Sequence, residues 1–114
     1  MWYTRASQEN RDRLKKLIRN GQFEVTTGGW TSTDEACPNY EDLINNVMIG
    51  HQFLENEFNI TPRVGWNLEA YAHSNTNARL FAQLGMDAQF FSTVDPKLKD
   101  QYKAEDKHHL NFLW

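Results

Sequence analysis

Pro62-Arg63-Val64-Gly65-Trp66-Asn67-Leu68-Glu69 closes a long stretch of helical periodicity and opens a short apolar one. Proline lacks the next helical donor and disfavours helical geometry in the residue before it, so it marks the boundary. Residues 63–68 read as a strand, with Glu69 at its C-terminal end. Upstream, Pro38-Asn39 opens a helix in which Asp42, three residues after Asn39, resembles a capping box. Its apolar set is Leu43, Ile44, Val47, Met48, Leu54 and Phe58, running to about Asn59, with His51 on the stripe as a hydrogen-bonded core histidine. Downstream, Ser74 or Asn77 caps a helix whose stripe Leu80, Phe81, Leu84 stops at Gly85, and residues 86–93, centred on Phe90-Phe91, form the next strand.

The pattern extends outward from this unit. Residues 7–20 carry Leu14, Leu17 and Ile18 at helical spacing, predicting an amphipathic helix with a narrow buried stripe and a stop at Asn20-Gly21. Its basic cluster, Arg11, Arg13, Lys15, Lys16 and Arg19, is interleaved with Glu9 and Asp12 and reads as a solvated face. Residues 22–26 predict a short strand ending in a tight turn at Gly28-Gly29-Trp30. Residues 97–106 predict a polar helix after Pro96, and residues 110–114 a last strand. Helix and strand alternate throughout, which favours βαβ units on a parallel sheet. A parallel sheet needs helices on its faces and neighbours at its edges. The fold class is therefore α/β: an incomplete segment of a mostly parallel sheet or (β/α) barrel with flanking helices, the 114 residues forming one partial domain segment.

Composition narrows the function classes. Hydrophobic residues at 39% and charged residues at 24% describe an ordinary globular chain. Twelve basic against fifteen acidic residues, a formal charge of −3, argue against nucleic acid as a partner. No apolar run approaches the roughly 18 residues of a membrane span, and the start Met1-Trp2-Tyr3-Thr4-Arg5 leads into no apolar signal core, so the sequence reads as soluble and without a targeting segment. A single cysteine, Cys37, excludes an internal disulfide. Asn59-Ile60-Thr61 fits the N-glycosylation pattern. Four tryptophans among 13% aromatics suit a core and also suit sugar stacking.

In parallel α/β folds, chemistry sits where strands end and loops lead into helices. Three segments meet that condition: Gly28-Gly29-Trp30 with Asp34-Glu35, Glu69-Ala70-Tyr71-Ala72-His73-Ser74, and Ser92-Thr93-Val94-Asp95. The middle one puts a carboxylate, an aromatic and an imidazole within five residues of a strand end. A structural role for the same residues has Glu69 capping the next helix and His73 packing beneath it.

Gly28-Gly29-Trp30 with Asp34-Glu35-Ala36 resembles the Gly-Gly-Trp-x-x-x-Asp-Glu-Ala segment of the family 38 α-mannosidases, in their N-terminal catalytic domain and especially the lysosomal type. Trp2-Tyr3, Gly50-His51-Gln52-Phe53-Leu54-Glu55, Pro62-Arg63-Val64-Gly65-Trp66, His73-Ser74 and Ala78-Arg79-Leu80-Phe81-Ala82-Gln83 are similar in the same order. The resemblance implies a retaining hydrolase acting on terminal α-mannose of glycans, in which a strand-end aspartate attacks the anomeric carbon and also ligates zinc. The family writes that strand end as Trp-x-Ile-Asp-Pro-Phe-Gly-His-Ser, so the resemblance puts Glu69 at the nucleophile position and makes it a zinc ligand once the missing ligands are supplied. Tyr71 and His73 become substrate-binding or loop-orienting residues. Ala70, Tyr71 and Ala72 depart from the motif, and Thr93 stands where the family often has arginine.

Other parts the family uses are absent from the chain. No His-x-Asp occurs among His51, His73, His108 and His109, and the general-acid aspartate belongs to a later stretch. An extra methylene at residue 69 moves the carboxylate by about 1 Å, a displacement that costs on the order of 100-fold in rate. The expectation is therefore a fragment of a zinc-dependent α-mannosidase, inactive as an isolated chain, with mannose-containing glycans and the remainder of a longer chain as partners and a lysosomal or vacuolar parent. The alternative is a non-catalytic α/β sugar-binding or interaction module descended from such an enzyme. A carbohydrate deacetylase would require the His-x-Asp pattern that the chain lacks.

Overall fold

The computed structural model describes residues 2–68 and 73–105. Along the chain these form α1 (Trp2–Arg5), α2 (Gln8–Arg19), α3 (Tyr40–Phe58), β1 (Val64–Trp66), α4 (Asn75–Gln83), β2 (Ala88–Phe90) and α5 (Pro96–Glu105). The described residues are mixed α/β, with β1 and β2 paired in parallel in the register Val64↔Ala88, Gly65↔Gln89 and Trp66↔Phe90. The α4 helix makes the crossover between them, as the alternating pattern predicts. Both strands are shorter than expected, although backbone bonds from Asp87 N to Arg63 O and from Asn67 N to Phe90 O extend the pairing at each end.

Glycine makes the close packing of this unit. A side chain at Gly65 would lie 2.6 Å from the ring of Phe81, so α4 rests directly on the backbone of β1. Phe81, Val47 and Met86 form the buried cluster, which joins α4, α3 and the approach to β2. The α4 helix starts at Ser74, whose hydroxyl accepts from Thr76 N, and stops at Gly85 with φ +82°. Asn77, the other cap candidate, is instead an interior residue, 1% exposed.

The α3 helix presents Leu43, Val47, Gly50 and Leu54 to the interior, a 4-3-4 spacing that keeps one stripe inward. Ile44 and Met48, expected on that stripe, are exposed. Asn39 takes the N-cap position without a side-chain bond, so the capping box does not form; Asn39 O accepts from Asp42 N instead. At the other end Asn59 closes the helix in the left-handed conformation.

Two other expectations need correction. The α2 helix has the predicted stop at Asn20-Gly21 and is capped by Ser7, but none of its residues is buried: Leu14 and Ile18 are half-buried and Leu17 is exposed. Residues 22–26 form no strand. The first of these residues are taken up by the end of α2, where Gln22 N and Phe23 N both donate to Leu17 O, and the chain then turns left-handed at Thr27 (φ +55°) and Gly28 (φ +72°). Thr27 meets β1 with its side chain instead, accepting from Trp66 N at 2.7 Å and donating to Trp66 O at 3.0 Å. The α5 helix starts one residue before its expected position, with the Asp95 carboxylate capping Lys97 N and Leu98 N. The expected strand at 110–114 and the pair His108-His109 lie outside the described residues.

Candidate functional site

The three segments singled out in the sequence come together, although the first follows the turn at Thr27-Gly28 and no strand. His73 is the residue that spans them: its Nε2 is 2.8 Å from Thr93 Oγ1, its Nδ1 is 3.8 Å from Glu35 Oε1, and its ring packs edgewise on Phe91. Ser92 adds a second tie between the later two segments by donating to Leu68 O. Glu69 and Tyr71 belong to residues 69–72, outside the described residues. His73 is described, and it contacts the first and third segments, with Thr93 as its hydroxyl partner.

Glu35 is the residue whose importance the sequence concealed. Its side chain is 1% exposed, yet it carries a carboxylate. Burying that group is costly unless donors surround it, and three do. Oε1 accepts from Asn67 Nδ2 and from Asn77 Nδ2 (3.0 Å), while Oε2 accepts from the backbone N–H of Ser74 at 2.5 Å. Ser74 is also the cap of α4, so the carboxylate lies where the positive end of the helix dipole adds to the bonding. The signal available in the sequence was Asn77, polar and one turn before Phe81 on the same helix face, and Asn67, polar at the end of an apolar strand.

The loop that delivers Glu35 is itself fixed to α3. A side chain at Gly50 would meet Gly28 O at 1.9 Å, so helix and loop touch backbone to backbone. Trp30 N donates to Asn46 O, and the Asn46 side chain bonds both Thr31 N and Thr31 O. His51, expected as a hydrogen-bonded core histidine, is half-buried, with its Nε2 2.9 Å from Thr27 O. Thus the long helix positions residues 27–31, and these aim the following segment at the strand ends.

Elsewhere the surface offers little that competes. Two hollows lie away from the strand ends, one between Lys15, Arg19 and Glu57, the other between Trp2, Arg5 and Asn10. Arg63 and Asp87 form a 2.6 Å ion pair on the surface, and the hydrogen bond and charge of Asp87 raise the guanidinium pKa further above its ordinary value. Cys37 is free and exposed. Among the described residues no helix is long and apolar enough to cross a membrane.

Comparison with known proteins completes the picture. The chain is 38% identical over 114 residues to a probable alpha-mannosidase of Arabidopsis thaliana, a match covering 99% of this chain and 11% of that protein. It is 34% identical over 113 residues to the lysosomal alpha-mannosidase of Dictyostelium discoideum and 36% identical over 113 residues to alpha-mannosidase 2 of Homo sapiens, covering 99% of this chain and 11% and 10% of those proteins. The chain thus spans about a tenth of the length of the curated relatives it matches. The model of the glycosyl hydrolases family 38 N-terminal domain matches residues 1–114, and the chain belongs to that family.

Proposed function

We propose that these 114 residues are one partial segment of the catalytic domain of a longer α-mannosidase, a retaining glycosidase removing terminal α-mannose from glycans, in which Glu69 holds the nucleophile position. The observation that carries the reading is the gathering of the three segments through His73 and Glu35 around the residues that bracket Glu69. In the two-carboxylate mechanism one carboxylate attacks the anomeric carbon and a second group protonates the leaving oxygen. Glu35 does not suit the second role, because it is buried and its oxygens are taken by donors from Asn67, Asn77 and Ser74. The family resemblance puts the acid in a later stretch beyond these 114 residues, and the isolated chain is expected to be inactive. In the whole domain the β1–α4–β2 unit would be part of a larger parallel sheet or barrel.

The resemblance implies zinc, and the described residues do not by themselves fit it. No three His, Cys, Asp or Glu side chains among them come together to hold a metal ion. Its ligands other than Glu69 would come from outside the chain, and no step is assigned to the metal here. His73 orients the loop, and Tyr71 is assigned to substrate. A lysosomal or vacuolar compartment is supported by the name of the Dictyostelium relative.

The test is hydrolysis of an aryl α-mannoside by the full-length protein, with the anomer of the first product read by NMR and with Glu69→Gln as the variant. Net retention and loss of turnover in the variant support the reading. Wild-type turnover that survives Glu69→Gln removes Glu69 from the mechanism, and sugar binding without turnover favours the non-catalytic module.

A further inference from the structure

Glu35 stands on a rigid base and reaches both flanks of the segment that contains Glu69. Asn67 lies two residues before Glu69, Ser74 five after it, and Asn77 one turn into α4; all three donate to the one carboxylate. The base is the loop that bonds α3 through Trp30 and Thr31. We propose that Glu35 is a positioning residue for Glu69: by clamping Asn67 and Ser74 to a single buried carboxylate, it holds in place the two flanks of residues 69–72. This assignment of a consequence for catalysis rests on the nucleophile reading above; the clamp itself does not.

In the arrangement seen, a carboxylate satisfies all of these partners at once. Both oxygens of Glu35 accept, from Asn67, Asn77 and Ser74, and His73 Nδ1 lies 3.8 Å from Oε1. Glutamine keeps the size and offers one oxygen and one amide nitrogen. If its oxygen faces the two asparagines, its NH2 meets the N–H of Ser74; in the reverse orientation it meets both asparagine amides. Either way a donor faces a donor unless the asparagine amides turn over, and the buried charge is gone. The three groups that bond Glu35 thus match a negative, accept-only group, and the residues it holds are those next to residues 69–72 rather than those of the core cluster.

The experiment is Glu35→Gln in the full-length protein, read by hydrogen–deuterium exchange and by steady-state kinetics on an aryl α-mannoside. Exchange should quicken about ten-fold or more in the peptide covering residues 67–77, the scale of one lost charge-assisted hydrogen bond, with α2 and α3 unchanged. The kcat should fall by about 100-fold with KM within about two-fold, as for a nucleophile displaced by roughly 1 Å. Unchanged exchange in 67–77, or an equal rise across the protein, would overturn the clamp. A KM that rises with kcat preserved would overturn its positioning role. Should Glu35→Gln fail to fold, Asn67→Ala removes one arm and leaves Asn77 and Ser74 in place, and the same local exchange pattern is required of it. A wild type without α-mannoside turnover, or turnover that survives Glu69→Gln, defeats the nucleophile reading alone, because the exchange result still decides whether Glu35 clamps the loop.

Discussion

Replacing Gly50 by alanine tests how tightly the long helix carries the site. In an isolated helix the change is favourable by about 1 kcal/mol, since alanine is the better helix former. Here the new methyl carbon would sit 1.9 Å from Gly28 O and 2.8 Å from Trp30 N, both backbone atoms that cannot rotate away. Relieving the overlap requires helix and loop to separate by more than about 1 Å, and overpacking of this kind costs about 1–3 kcal/mol. The same separation weakens the bond from Trp30 N to Asn46 O and the three bonds between the Asn46 side chain and Thr31, together by about 2 kcal/mol. These losses, about 3–5 kcal/mol in all, exceed the propensity gain by about 2–4 kcal/mol. Thermal unfolding followed by tryptophan fluorescence should show a Tm lower by about 5 °C or more. A Gly50→Ala protein as stable as wild type would refute the backbone contact and, with it, the rigid base assigned to Glu35.

Thr27→Val keeps the shape but deletes the hydroxyl that both accepts from and donates to Trp66; a loss of about 2 kcal/mol is expected in denaturant titration, with Thr27→Ser close to wild type. Phe81→Ala empties the centre of the buried cluster and should cost about 3–5 kcal/mol by the same titration. Arg63→Ala breaks an ion pair whose partners are both mostly exposed, and its Tm should match wild type within measurement scatter at low and high salt alike.

The helices were legible because their signals are local. Apolar spacing and a glycine after the last turn located α2 and α4, and Pro62 separated α3 from β1. Strand residues 22–26 misled because Phe23 and Val25 alternate correctly, whereas the end of α2 takes up Gln22 and Phe23 and the chain then turns at Thr27, which bonds partners 37 and 39 residues away in Val64 and Trp66. The stripe of α3 was read too broadly for a related reason. Periodicity names a helix face, but whether Ile44 or Gly50 lies against a neighbour depends on how near the neighbour comes. The site divided in the same way. Strand-end location led to the segments after β1 and β2, where His73 meets Thr93, whereas the segment from Gly28 to Glu35 follows a turn and no strand. Glu35 escaped because a carboxylate in a loop looks solvent-facing until its donors, Asn67, Ser74 and Asn77, are brought to it from 32 to 42 residues away.

Those separations bear on the order of assembly. The β1–α4–β2 unit closes within 24 residues through a helix and can collect its bonds piecemeal. Glu35 cannot, since a carboxylate that leaves water before its donors are in place forfeits its hydration for nothing. Insertion of its loop is therefore expected to be a late, all-or-none event, in which the strand-end loop acquires its final setting only once the rest of the unit already stands.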